Sequence, residues 1–412
     1  MTSNQILITI LVIITADYLL EQLLSYFNIK SNKTEVPDSM KEYYDKEKYA
    51  KSQEYLKVQT RFSYLTSGLS FVISFILLFL GLFGWLDQLI NPYFDNPILL
   101  TLAFFGILFL ASDLLGTPFS WYSIFIIEER FGFNKTTPKL FFVDKVKGYL
   151  LTIIIGGGIL ALLFYLIQVL GPSFWLVFWM AISAFILFIN MFYTSLIVPL
   201  FNKLTPLQDG ELMDSIKVYS EKVKFPLTKV FVIDGSKRSK KANAFFSGIG
   251  KKKKVVLYDT LIENHTINEL VAILAHEIGH YKKKHITIGF ILSVLQIGIT
   301  LFIMSLMIFN VDLSKALGAD HLVIHLNLIA FSILFSPVSK ITGIFMNIFS
   351  RKNEFEADAF AANTFEGESL ATALKKLSVD NLSNLYPHPW YVFFHYSHPP
   401  LMLRLKALEN KS

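Results

Sequence analysis

The sequence predicts a mainly α-helical membrane protein with about seven transmembrane helices, and three observations support this class. Of the 412 residues, 53% are hydrophobic and 15% aromatic but only 17% charged, a balance more apolar than that of soluble domains. Several stretches are apolar over the roughly twenty residues that a bilayer-spanning helix needs. Lys and Arg collect in alternate connections between these stretches, as they do in multi-pass membrane proteins.

Seven stretches are long and apolar enough to span a bilayer core. They run approximately over 5–25, 65–90, 97–125, 148–171, 174–197, 286–310 and 321–349. These spans divide the chain into four parts. The parts are 1–197 with spans one to five, 198–285 outside the membrane, 286–349 with spans six and seven, and 350–412 outside the membrane.

The orientation follows from the charges of the connections. Residues 126–147 hold five Lys or Arg, whereas 91–96 and 172–173 hold none. Because positively charged loops face the cytoplasm, we expect the connections after spans one, three and five, and the carboxy-terminal tail, on the cytoplasmic side. The net charge of +6 then reflects this excess of basic loops, so a lipid bilayer is the expected partner and nucleic acid is not.

Some predicted spans contain groups that are costly to place in lipid. They are Asp17, Glu21, Asp113, His321 and His325. Ionisable residues within spans usually face the interior of a helix bundle or a water-filled cavity. We therefore expect the helices to enclose a chamber rather than pack tightly against one another.

A His-Glu-x-x-His motif lies between the fifth and sixth spans. Thr266 and Glu269 form the pattern of a capping box, which predicts a helix that begins just before the motif. On a helix, His276 and His280 share one face, so both imidazoles can bind one zinc ion. Glu277 follows the first histidine and is placed to act as a general base. The chain contains no Cys, so any metal must be held by His, Asp or Glu.

A catalytic zinc site needs a third protein ligand, and the segment after the seventh span offers one. Glu354 and Asp358 are four residues apart and share a helix face, whereas Glu356 points elsewhere. We expect Glu354 to bind the metal and Asp358 to orient one of the two histidines. The predicted topology brings this segment to the same membrane face as the His-Glu-x-x-His helix.

Three motifs together resemble one known family. They are His-Glu-Ile-Gly-His at 276–280, Asn-Glu-Phe-Glu-Ala-Asp-Ala-Phe-Ala at 353–361, and His-Tyr-Ser-His-Pro-Pro-Leu at 395–401 followed by Arg404. This pattern resembles the type 1 CAAX prenyl proteases, which are integral-membrane zinc endopeptidases of the gluzincin group. The resemblance extends over essentially the whole chain, and it implies a zincin-like α+β catalytic domain split between 198–285 and 350–412 on the cytoplasmic side of the membrane.

The resemblance also implies roles for individual residues. His276, His280 and Glu354 match the zinc ligands, Glu277 the catalytic base, and Asp358 the carboxylate that supports a ligand. Asn243, Ala244, Phe245 and Phe246 match an edge strand whose backbone lines the substrate. His398 and Arg404 match residues near the scissile peptide and the oxyanion that forms during the reaction.

We therefore expect a membrane zinc endopeptidase with one Zn²⁺ per chain. Its substrate would be a membrane-associated or prenylated protein that loses its carboxy-terminal tripeptide, in an endoplasmic reticulum or bacterial inner membrane. Two alternatives stay open at this point. One is a membrane-protein quality-control protease with the same site and no preference for prenyl groups. The other is a metal transporter, although a transporter has no need of Glu277 beside its metal.

Overall fold

The computed structural model describes residues 1–227, 229–247 and 254–409, without the side chains of 246 and 247. The helices in this part of the chain are α1 (Ser3–Lys30), α2 (Lys46–Phe79), α3 (Leu82–Ile90), α4 (Pro97–Tyr122), α5 (Pro138–Leu151), α6 (Gly157–Leu170), α7 (Phe174–Leu196), α8 (Val198–Phe201), α9 (Glu211–Lys222), α10 (Asp259–Asn264), α11 (Ile267–Lys282), α12 (His285–Met307), α13 (Val311–Ala316), α14 (Ile324–Leu334), α15 (Ser336–Thr364), α16 (Gly367–Asp380), α17 (Pro389–His395) and α18 (Leu401–Glu409). The strands are β1 (Leu204–Pro206), β2 (Lys229–Ile233), β3 (Ala244–Ser247) and β4 (Lys254–Tyr258).

The predicted membrane class is confirmed. Among the described residues, five helical stretches are long and apolar enough to cross a bilayer, and a bent pair of helices would make a sixth. The stretches are Ser3–Lys30, Lys46–Phe79, Pro97–Glu128, Pro138–Phe201 and His285–Met307, and the bent pair is α14 with α15. Only 6 to 22% of their most apolar windows is buried inside the protein, so lipid is the solvent that these apolar surfaces require.

The predicted fourth and fifth spans both lie within the stretch Pro138–Phe201. As one straight helix its 64 residues would be about 96 Å long, roughly three times the thickness of a bilayer core. The chain instead breaks at Gly171, which has a φ of 52°, and a three-residue turn separates α6 from α7. Leu163 of α6 and Phe174 of α7 belong to the same buried cluster, so the two helices pack together. The exact count of seven spans stays a prediction.

Two of the predicted spans are not single straight helices in the structure. The helix predicted over 65–90 ends at Phe79, because Gly81 adopts a left-handed φ of 63° and α3 begins as a separate helix. A Cβ at Gly84 would lie only 2.2 Å from the Gly318 carbonyl carbon, so a glycine here lets α3 contact the loop before α14. The span predicted over 321–349 bends by 50° between α14 and α15, where Pro337 cannot donate a backbone hydrogen bond.

The ionisable groups within the spans are paired. The Lys340 ammonium lies 3.0 Å from Asp17 and 2.9 Å from Glu21, which ties α15 to α1. Asp113 similarly accepts a hydrogen bond of 2.7 Å from Lys145. The other pairs are His325 with Asp87 at 2.9 Å and His321 with its neighbour Asp320 at 2.6 Å. Pairing reduces the cost of these charges in the membrane, and the enclosed chamber stays a prediction.

The chain between the apolar stretches Pro138–Phe201 and His285–Met307 forms a small sheet. Its strand order is β1-β2-β4-β3, with β2 and β4 parallel and the other pairs antiparallel, so β3 is an edge strand. Helix α11 packs between this sheet, α9 and α16 around a buried apolar core. The largest fully buried side chains of that core are Ile216, Leu257, Leu261, Leu274 and Ile278. This core fixes the position of the His-Glu-x-x-His helix.

Candidate metal centre

The helix that carries the motif begins as the sequence predicts. Thr266 Oγ1 accepts a hydrogen bond of 3.4 Å from the Glu269 amide, and the Glu269 carboxylate accepts one of 3.0 Å from the Thr266 amide. Later in α11, Gly279 lets α15 approach closely, because a Cβ there would lie 3.0 Å from the Cα atom of Ala357. The motif face of α11 is therefore pressed against the helix that carries Glu354.

Three side chains from these two helices converge on one point. The Nε2 atoms of His276 and His280 are 3.2 Å apart. Glu354 places its Oε2 atom 3.5 Å from His276 Nε2 and its Oε1 atom 3.3 Å from His280 Nε2. All three ligand atoms lie within 4.8 Å of one another. The structure thus brings the three predicted ligands together.

This arrangement fits a metal ion. Glu354 is 3% exposed, and its Oε2 atom has no hydrogen-bond partner in the part of the chain that the structure describes. The Arg404 guanidinium lies 3.6 Å from this oxygen, and a buried carboxylate oxygen without a hydrogen bond is costly, so a metal ion would satisfy it. Two imidazole nitrogens and one carboxylate oxygen are the donor set of many catalytic zinc sites, which keep a fourth position open.

A buried ion pair supports His276 through the Nδ1 atom of its ring. Asp358 Oδ1 lies 2.8 Å from His276 Nδ1, so this carboxylate holds the ring with Nε2 toward Glu354. Arg404 in turn donates two hydrogen bonds to Asp358, at 2.8 Å from Nε and 2.6 Å from Nη2. Burial alone would lower the pKa of His276, but Asp358 and Glu354 outweigh it and hold the pKa above its ordinary value. The same negative surroundings favour a bound metal cation.

The second histidine has a support that sequence reasoning missed. His285 is the first residue of α12, and its Nδ1 atom lies 3.1 Å from His280 Nδ1. Its Nε2 atom lies 3.3 Å from the Glu356 carboxylate. No helical periodicity connects His285 to the motif in the sequence, so spacing gives no signal for this contact. Glu356 points away from the ligand cluster, as predicted, but it holds His285 in place.

We expect His285→Ala to lower zinc affinity about 10- to 100-fold, the usual cost of removing an outer hydrogen-bond partner of a metal-binding histidine. Competition against a chromogenic zinc chelator measures this affinity. His321→Ala is the matched control, because His321 is exposed and pairs only with its neighbour Asp320 among the described residues. Equal affinities for wild type and His285→Ala would contradict a supporting role for His285.

Further predicted site residues line one cavity with two of the ligands, His276 and Glu354. This cavity, of about 190 Å³, is bordered by Asn243, Ala244, His276, Glu277, Glu354, His398 and Arg404, among others. Glu277 is largely enclosed, and burial raises the pKa of its carboxyl group, which strengthens it as a base. The His398 side chain is 65% exposed, and its Nε2 atom lies 3.3 Å from Glu354 Oε1. Base, ligands and predicted substrate contacts therefore meet around the same space.

Phe245 of the edge strand lies away from the cavity. Phe245 packs against Tyr258 on the opposite face of the sheet, with ring centroids 6.4 Å apart. The Phe246 side chain falls outside the described part of the chain. Of the side chains of this element that the structure describes, those of Asn243 and Ala244 border the cavity and that of Phe245 does not, so any substrate contact of Phe245 would come from its backbone.

Comparison with known proteins identifies the family. A model described as peptidase family M48 matches residues 206–412, which include the three ligands and Glu277. The chain belongs to this family. A second model, described as the CAAX prenyl protease N-terminal region with five membrane helices, matches residues 25–203. The resemblance read from the three motifs is confirmed, and this M48 peptidase is a membrane-embedded metalloendopeptidase.

Several M48 relatives match nearly end to end. The CAAX prenyl protease 1 homolog of Arabidopsis thaliana is 36% identical over 91% of this chain and 91% of its own. CAAX prenyl protease 1 of Saccharomyces cerevisiae is 34% identical over 96% of this chain and 94% of its own. The crystal structure of S. mikatae Ste24p superposes with a TM-score of 0.93 at 32% identity, covering 98% and 99% of the two chains. These M48 matches favour the peptidase over the metal transporter.

Proposed function

We propose that this peptidase holds one zinc ion per chain on His276, His280 and Glu354, and removes the carboxy-terminal tripeptide from prenylated proteins. The observation that carries the proposal is the convergence of these three ligands within 4.8 Å of one another, with Glu277 beside two of them on one cavity, in a membrane-spanning chain. The names of the relatives, CAAX prenyl proteases, support the same substrate class.

Zinc bound by these ligands would supply Lewis acidity, which polarises a peptide carbonyl and acidifies water. Glu277 then accepts a proton from the attacking water and passes it to the leaving amine. His398 has an exposed imidazole on the same cavity and donates a hydrogen bond to the negatively charged carbonyl oxygen. Arg404 is buried against Asp358 and adds positive charge next to this oxygen, while keeping His276 in position.

The edge strand binds the main chain of the substrate in this mechanism. Strand β3 pairs with β4 on one side, and its other side has no partner strand among the described residues. An extended peptide can add to such an edge through backbone hydrogen bonds, which need no particular side chains. Asn243 and Ala244, at the beginning of β3, border the metal-centre cavity. A peptide bound there has its scissile bond beside the ligands.

Prenyl recognition is the part of the proposal that separates it from a quality-control protease. A lipid chain contributes about 0.8 kcal/mol per buried CH₂ group, so a farnesyl chain can supply much of the binding energy. We expect purified enzyme to cleave a prenylated Cys-a-a-X peptide with a lower KM than the same peptide without its lipid. Equal kcat/KM for both peptides would contradict prenyl specificity and favour the quality-control alternative.

We also propose that the metal centre faces the cytoplasm, because the basic connections lie on its side of the membrane. The chain has no native Cys, so labelling of a single introduced cysteine shows on which side of the membrane its position lies. We expect Lys283→Cys, in the exposed turn after α11, to react with an impermeant thiol reagent only from the cytoplasmic side. Tyr93→Cys, in the exposed turn before α4, should react only from the opposite side. Labelling of both from one side would refute this orientation.

A further inference from the structure

A second and larger cavity adjoins the metal centre. Its volume is about 780 Å³, and it lies between the amino-terminal half of α2, the segment before β3 and the loop after α16. Ala242, Asn243 and Asn381 border both this cavity and the one that contains the ligands. The two cavities therefore meet at the beginning of β3. The mechanism described above does not use the larger one.

The lining of this larger cavity has a distinct chemistry. Of the described residues that border it, two are cations, Arg238 and Lys241, and none is a carboxylate. Most of the others carry amide or hydroxyl groups, which can form hydrogen bonds with a peptide main chain. The carboxylates that balance the two cations, Asp144 and Glu128, are not among the lining residues. The wall therefore carries two cations, each paired with a carboxylate that lies behind it, among amide, hydroxyl and apolar groups.

Lys241 can take a further anionic partner. Its ammonium donates to the Tyr55 hydroxyl at 2.8 Å and lies 3.0 Å from the Glu128 carboxylate. The ammonium also lies over the Phe133 ring, 4.4 Å from its centroid, so a further anion would contact the part of the group that faces the cavity. The Lys241 side chain is 38% exposed, which leaves it accessible from the cavity.

The direction of β3 indicates which part of a substrate reaches this wall. The metal-centre cavity touches Asn243 and Ala244, whereas the larger cavity begins at Asn243 and continues back to Arg238. A peptide that pairs antiparallel with β3 runs toward the beginning of that strand, so the residues after its scissile bond enter the larger cavity. Three extended residues span about 10 Å, and their free end carries a negative charge.

We infer that the larger cavity is the binding site for the leaving tripeptide, and that Lys241 binds its terminal α-carboxylate, with Arg238 adding positive charge nearby. This inference rests on the proposed function and deepens it. It explains how an endopeptidase selects a bond three residues from a chain end: the charged end is held at a fixed distance from the metal. A peptide without a free carboxylate loses that contact.

The test compares one prenylated Cys-a-a-X peptide in two forms, with a free carboxy terminus and with a carboxy-terminal amide. Full-length wild-type enzyme should cleave the acid with a kcat/KM about 10- to 100-fold higher than the amide, as expected for a charge-assisted hydrogen bond. Lys241→Met should reduce this acid-over-amide preference about tenfold or more. Because the preference is a ratio within one preparation, a smaller folded fraction does not change it.

Two further variants control for charge and for folding. Lys240→Met removes a neighbouring exposed ammonium that does not border the cavity, so its acid-over-amide preference should match that of wild type. Lys241→Arg keeps the positive charge beside Glu128 and should retain most of the preference. Equal cleavage of both forms by wild type, or an undiminished preference in Lys241→Met, would overturn the inference alone. If wild type cleaved neither form, the proposed function would fail together with it.

Discussion

Glu277→Gln is expected to lower kcat/KM by about 10²- to 10⁴-fold while zinc content stays near one ion per chain. The reason is that glutamine keeps the size and polarity of the side chain but cannot accept a proton, which is the usual contribution of a general base. Glu277 is not one of the three converging ligands, so the metal has no reason to leave. Cleavage of a prenylated reporter peptide and metal analysis of the same preparation measure both quantities.

The control for this variant is Glu263→Gln, which makes the same change on the exposed surface of α10. It should match wild type in both activity and zinc content. A Glu277→Gln enzyme that remained fully active would remove Glu277 from the proposed mechanism. A variant that lost its zinc would instead make Glu277 a ligand, contrary to the observed geometry.

Glu354→Ala is expected to abolish activity by a different route, through loss of the metal. It removes one of three ligands and leaves His276, His280 and Arg404 without the carboxylate between them. Zinc affinity should fall by more than the roughly 100-fold that an outer hydrogen-bond partner contributes at most. Chelator competition measures the affinity, and added zinc at high concentration should restore part of the zinc content.

Variants of two other glutamates test whether the loss of zinc is specific to Glu354. Glu368→Ala changes an exposed residue of α16 and should leave zinc affinity unchanged. Glu356→Ala removes the partner of His285, so it should weaken zinc binding far less than Glu354→Ala. If Glu354→Ala were fully loaded and active, Glu354 would not be a ligand, and Glu356 would be the next residue to test.

Much of the site could be predicted because its spacing is local. The capping box at Thr266 sets the start of α11, and the helical repeat then places His276 and His280 on one face. The same repeat on α15 separates Glu354 and Asp358 from Glu356. These relations depend only on backbone geometry within one helix, so they survive any arrangement of the helices around them. The zinc role of Glu354 itself needed the resemblance or the topology.

Other relations arise between distant segments, and the sequence carried no signal for them. His285 lies beyond a left-handed turn at Lys284, with a φ of 60°, so its contact with His280 depends on the angle between α11 and α12. Arg404 reaches Asp358 only because α18 packs beside α15, and from spacing alone we could not have paired them. The contacts that support His276 and His280 through their Nδ1 atoms therefore depend on the tertiary structure.

By itself, the sequence determined the membrane class, the helix that carries the motif and the shared face of His276 and His280, because hydrophobic length and helical periodicity are local. Only the tertiary structure decided the break at Gly81, the 50° bend between α14 and α15, and the meeting of two cavities beside Asn243. Such features depend on which surfaces pack together. Packing is a sum of many weak contacts between residues far apart in the chain, and no local pattern encodes it.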